Sequence, residues 1–191
     1  MNLKLIKIFG GIGSLLIVIS SLISFIFSFS SIISGVVYIP TTPISFIGII
    51  LVLVAMRGFS RIYNEVKIFK NFLIGFIFEI IASSFFIVTI FLLLSEFYFL
   101  KYLWFLGFSY SAITRILFII GVIFLILIIA TIFYKKSFNL LAQKSKVDLF
   151  NTVGVLLLIG TIFLPITLIG GISLLIAWII AIIGFFSIKQ T

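Results

Sequence analysis

The sequence contains no cysteine and no histidine, and its only acidic side chains are Glu65, Glu79, Glu96 and Asp148. Without cysteine there are no disulfides and no thiolate chemistry. Without histidine there is no imidazole ligand and no common general base near neutral pH. Four scattered carboxylates do not compose a paired acid–base site or a hydrolytic metal centre. GGIG at 10–13 is too short for a phosphate-cradling loop, and no glycine-rich loop with its lysine occurs elsewhere. The expectation is a protein that is not an enzyme and holds no cofactor or metal.

Charge is also scarce, at 9% of residues, whereas 64% are hydrophobic and the mean hydropathy is +1.53. Soluble domains are about half apolar and a quarter charged. A soluble core in a chain of this size has no room for so much apolar surface. Lipid is therefore the expected solvent, with residues 1–191 forming a single transmembrane domain. The net charge of +9 reads as membrane orientation rather than nucleic-acid binding, because no soluble face exists to carry such a site.

The expected fold is an all-α integral membrane bundle of six transmembrane helices. A helix needs about 20 residues to cross ~30 Å of hydrocarbon. Long apolar runs place spans at about 5–28, 43–63, 68–95, 111–134, 147–164 and 168–188. The runs are continuous and do not alternate, which favours helices over barrel strands. Thr42 and Pro43 suit the cap and first position of the second helix. Pro165 and the pair Gly170–Gly171 blur the join between the fifth and sixth, so the fifth reads as short.

Lys4, Lys7, Arg57, Arg61, Lys67, Lys70, Lys135, Lys136, Lys144, Lys146 and Lys189 fall on one side of this topology, and only Lys101 and Arg115 on the other. The positive-inside rule then puts both termini in the cytoplasm of a multi-pass cell-membrane protein. A cleaved signal peptide is disfavoured, since the first apolar run is long and no A-x-A site follows it. On the outer side, Tyr98, Tyr102, Trp104 and Tyr110 suit the headgroup level as an interfacial lid, with a re-entrant loop as the alternative. On the inner side, KKSFNLLAQKSKVDLF at 135–150 reads as a short basic amphipathic helix lying on the leaflet. Phe138, Leu141, Ala142 and Leu149 share its apolar face; Lys135, Lys136, Lys144 and Lys146 lie elsewhere on it, as contacts for anionic lipid or simply a solvated basic face. Arg57, Arg61 and Glu65, spaced by four, read as a ladder at the inner boundary, either a snorkelling anchor or a docking site for an acidic partner.

Two segments echo each other. PISFIG at 43–48 returns as PITLIG at 165–170, and IFGGIGSLL at 8–16 resembles LFNTVGVLL at 149–157. Helices 1–2 and 5–6 thus read as a parallel repeat about an axis along the membrane normal. Small residues form stripes at Gly10, Ser14, Ser21, Ser24 and Ser28, and at Gly170, Ser173, Ala177, Ala181 and Gly184. Such stripes bring membrane helices close, within one chain or in a homo-oligomer.

In NFLIGFIFEIIASSFF at 71–86, Glu79 interrupts an apolar run near mid-bilayer. Spacing puts Gly75, Ala82 and Ser83 on its face, so the carboxyl is expected to turn inward. An ionised carboxylate at that depth costs a few kcal/mol on insertion scales. Arg115, a cation inside the fourth span, lies on the order of 15 Å away in depth and pairs better with Glu96 or snorkels outward. Glu79 is then a neutral acid clasping two helices, or a proton or cation site in a pathway.

The chain resembles a prokaryotic, largely archaeal membrane family known as domain of unknown function number nine hundred and ninety-six. The resemblance rests on GGIGSLL at Gly10, GIILVLVAMRGFSRIYNEVKIFKN from Gly48, FYKKSFNLLAQKSKVDLFNTVG from Phe133 and AWIIAIIGFFSIK from Ala177. It implies a multi-span membrane protein and assigns no activity or functional residue. Two readings of function remain. The first is a non-enzymatic accessory, assembly or lipid-organising component, associating with itself or a larger membrane complex. The second is a small-solute or cation/proton transporter that uses Glu79.

Overall fold

The computed structural model describes the backbone of residues 2–34, 43–102 and 110–189, and side chains over 2–24, 43–92, 114–115, 117–166 and 169–189. Six helices account for nearly all of this: α1 Leu3–Ser34, α2 Pro43–Ile62, α3 Val66–Tyr102, α4 Tyr110–Ser145, α5 Leu149–Ile162 and α6 Thr167–Ser187. No strand occurs among the described residues. Five helices are long and apolar enough to cross a membrane; α5, at 14 residues, is shorter. Its rise is roughly 21 Å at 1.5 Å per residue.

The helices form a ring. Each packs on its neighbours in the chain, and α6 closes the circle against α1. Up-and-down order brings the start of α1, the ends of α2, α4 and α6, and the start of α3 to one end. Nine of the eleven basic residues assigned to one side from sequence belong to those segments, and Lys146 and Lys189 follow α4 and α6. We call this the basic end.

Its turns are tight for identifiable reasons. Asn64 adopts φ 48°, a left-handed conformation that asparagine tolerates better than most residues. Around it the Glu65 amide donates to Ser60 O at 3.0 Å and the Asn64 amide to Arg61 O at 3.4 Å. This pair of bonds is the Schellman pattern that ends a helix. Lys146, at φ 58°, turns the chain after α4 in the same left-handed region.

Inside the ring, the basic half is filled by aromatic side chains. Phe59 of α2 stacks on Phe185 of α6 at 5.9 Å, Phe185 meets Phe150 of α5 at 5.1 Å, and Phe150 stacks on Phe138 of α4 at 6.0 Å. Phe138 meets Phe72 of α3 edge-on at 6.0 Å, and Phe72 reaches Tyr134 at 4.7 Å. The five phenylalanines are fully buried. At the opposite extreme, Phe91 and Phe118 are 68% and 72% exposed, and dozens of Ile, Leu and Val side chains share the outer surface with them. Such an apolar exterior is what a helical bundle turns to hydrocarbon, where exposing apolar side chains carries no penalty.

Several expectations are corrected here. The amphipathic helix expected at 135–150 does not exist as a separate element, because α4 runs unbroken to Ser145. Its apolar residues Phe138, Leu141 and Ala142 are buried in the ring rather than laid on a leaflet. The Arg57–Arg61–Glu65 ladder also fails, since α2 stops at Ile62 and Glu65 lies beyond the turn. The Glu65 carboxylate stands 3.8 Å from Lys144 of α4 instead. The matched glycines of the sequence repeat occupy unmatched contacts. A Cβ on Gly13 would lie 2.6 Å from Gly48 O of α2, whereas one on Gly154 would meet Lys135 and Asn139 of α4.

Several residues of the small-residue stripes pack within the chain. Gly10 lies under the Phe185 ring, Gly184 faces Phe150, and Ser173 Oγ donates to Leu156 O at 3.1 Å. Ser14, Ala177 and Ala181 are fully buried. Thr42, Trp104 and the side chains of Ser28, Tyr98, Tyr102 and Tyr110 lie outside the described residues, and with them the lid and the cap expected there.

Candidate functional site

Glu79 sits 13 residues into α3, about 20 Å along its axis, and Tyr134 sits 11 residues before the end of α4, about 17 Å. Because α3 and α4 are antiparallel neighbours, the two residues come to the same level. Gly75 makes the approach possible: a Cβ there would lie 2.9 Å from Ala130 O and from the Tyr134 ring. The Tyr134 hydroxyl donates to Glu79 Oε2. The pair sits directly on the aromatic packing, since Tyr134 is the last ring in the series that starts at Phe59.

A cavity of about 170 Å³ opens beside the pair. Glu79, Thr131, Tyr134, Thr161 and Trp178 supply its polar atoms, and Leu127, Leu157, Leu164 and Leu174 line it further. Thr131 bonds to Leu127 O at 3.1 Å and Ile128 O at 3.0 Å, and Thr161 to Leu157 O at 3.0 Å. Those bonds use the hydroxyl protons and leave the oxygen lone pairs able to accept. Its volume is well above the roughly 10–15 Å³ that one water requires, and several polar groups line it. Leu164 belongs to the α5–α6 turn, at the end remote from the basic residues, and is 40% exposed. The cavity therefore extends from the acid towards that opposite end, while phenylalanines fill the basic end.

The inward turn expected of Glu79 holds for most of its face: Gly75 and Ala82 are buried. Ser83 does not follow; it is exposed and donates back to Glu79 O at 2.8 Å. Tyr134 was missed from sequence because the fourth span was ended at 134, which placed the phenol at a membrane boundary. The signal that could have found it is the absence of any helix breaker between 134 and 145.

The other site residues are dispersed. Arg115 is exposed in the second turn of α4, roughly 28 Å along the helix from Tyr134. Glu96 lies in α3 with its side chain outside the described residues, so its pairing with Arg115 does too. Lys136 Nζ sits 5.2 Å from the Phe133 ring, Lys135 is half-buried against Gly154, and Lys144 holds Glu65. Lys146 is exposed in the α4–α5 turn. Arg57 and Arg61 line a separate groove on α2.

A ring of apolar helices, with an acid–phenol pair between α3 and α4, defines a class of helical, membrane-type bundle. Residues 44–179 match the family described as "Protein of unknown function (DUF996)", and the chain belongs to that family. It is 30% identical to an uncharacterized protein of Methanocaldococcus jannaschii, over all of this chain and 95% of that protein. No solved structure matches the chain.

Proposed function

We propose that the chain is an integral membrane protein of six crossings, with both termini and the basic end in the cytoplasm, whose Glu79–Tyr134 pair binds a proton or small cation for transport. The observation that carries this reading is that Glu79 lines a cavity as well as accepting a bond from Tyr134. A mere clasp between helices needs no adjoining space. A carboxyl beside polar space can exchange a proton with water or hold a cation, and the Trp178 and Tyr134 rings offer further attraction to a cation. The phenol can donate to the carboxylate and release it when a cation or proton takes its place. The packed rings of Phe72, Phe138, Phe150 and Phe185 separate the pair from the basic end, so release there requires those rings to move.

The test is flux into proteoliposomes under a proton or monovalent-cation gradient. Wild-type protein is expected to carry a flux that Glu79→Gln abolishes and Tyr134→Phe reduces. Equal flux in wild type and Glu79→Gln, or none in wild type, would overturn the reading.

The accessory or lipid-organising reading is supported by one specific observation, the sealed aromatic half of the ring, which suits a static bundle. It requires self-association or a larger complex through a surface other than the described small-residue stripes. A partnerless monomer in mild detergent would count against it.

A further inference from the structure

The C-terminal half of α2 carries a second feature, independent of the acid–phenol pair. Val54, Arg57, Gly58, Arg61 and Ile62 recur at helical spacing on one face, and with Ile6 of α1 they line a groove of about 380 Å³. Gly58 is what lets α1 enter: a Cβ there would lie 2.7 Å from the Ile6 side chain. Val54 and Ile62 are exposed apolar walls, and both arginines are exposed between them. Arg57 leans on Phe69 of α3, its guanidinium carbon 5.9 Å from the ring centre. The carboxylate that sequence spacing would have offered Arg61 is turned away to Lys144. Among the described residues, no carboxylate is in ion-pair range of either arginine.

Two guanidiniums one helical turn apart, with no acidic partner, form a fork matched to phosphate oxygens. Arg57 is five residues from the end of α2, about 7.5 Å along the axis, so both charges sit within the last turns of a helix that crosses the membrane. That is headgroup depth. Val54, nearly one turn before Arg57, continues the groove from the charges towards the hydrocarbon, where acyl chains lie. A soluble phosphate would use the fork but not this apolar wall.

We infer that this groove binds one anionic phospholipid of the inner leaflet, with its phosphate between Arg57 and Arg61 and an acyl chain along Val54. The inference goes beyond the transport reading and needs only that α2 spans the bilayer with the basic end in the cytoplasm, as proposed above.

The test uses the full-length chain in neutral detergent, with retained lipid measured by native mass spectrometry after addition of phosphatidylglycerol, phosphatidylcholine or inorganic phosphate. One phosphatidylglycerol should be retained in preference to phosphatidylcholine, and inorganic phosphate should not displace it. The pair Arg57→Gln and Arg61→Gln should lower its occupancy about tenfold or more, as expected for losing charge-assisted hydrogen bonds. Val54→Trp, which fills the groove and keeps both charges, should lower it as well. Lys67→Gln with Lys70→Gln removes equal charge from the same end and should leave occupancy within about twofold. Equal loss in the lysine pair would show general surface attraction and overturn the assignment. So would unchanged retention in both groove variants, or displacement by inorganic phosphate.

Discussion

At the level of single residues, the Tyr134 hydroxyl and the Glu79 carboxyl are each other's partners across α3 and α4. Removing one member of such a pair leaves the other short of a bond in a region of low dielectric. Tyr134→Phe is therefore expected to destabilise the protein by about 1–3 kcal/mol, read as a lower melting temperature in detergent. Glu79→Gln keeps a carbonyl acceptor for the phenol and should cost less than Tyr134→Phe while removing the exchangeable charge. If the glutamine variant melted far below the phenylalanine variant, the acid would be serving the fold rather than a ligand. Glu79 was legible in the sequence because it is a carboxylate within an apolar run. Its partner was not, because a phenol next to Lys135 and Lys136 looks like a residue at the membrane surface.

Elements show why the helices sit where they do. The α1–α2 crossing is set by two backbones in contact: a Cβ on Gly13 would lie 2.6 Å from Gly48 O, and one on Gly48 2.7 Å from Gly13 O. A methyl group at either place must push the helices apart. Gly13→Ala or Gly48→Ala should each lose about 1–3 kcal/mol of stability in detergent unfolding. Gly121→Ala meets nothing within 4 Å and should be neutral or gain up to about 1 kcal/mol from helix propensity. Loss at all three positions would mean that glycine acts there through something other than close approach. Apolar runs marked the six helices well, and Pro43 opens α2 where its ring suits a first turn. The fourth span was ended at 134 because a pair of lysines follows; lysine is a good helix former, and α4 continues for nine residues past Lys136. The Arg61–Glu65 spacing misled because the left-handed turn at Asn64 removes Glu65 from the helix.

For the whole molecule, the decisive question is whether α5, with its 14 residues, completes a crossing. A chain without cysteine allows single-cysteine labelling with no background. Lys144→Cys and Lys189→Cys should react with an impermeant thiol reagent from one face of sealed vesicles, and Leu164→Cys from the other. Reaction of Leu164→Cys with Lys144→Cys from one face, and of Lys189→Cys from the other, would leave five crossings; reaction of all three from the same face would leave four. Either result would break the ring's alternation. The charge distribution supports six, since the eleven basic residues gather at one end only if α5 carries the chain across.

The central claim is that the acid–phenol pair borders space reached from the end opposite the basic residues. Its most direct test is the reactivity of Thr161→Cys, a buried cavity-lining position, towards a small cationic thiol reagent added to either face of sealed vesicles. The account predicts modification from the face that labels Leu164→Cys. A Thr161→Cys that stays unreactive while Leu164→Cys reacts, or that reacts only from the face carrying Lys189, would contradict it.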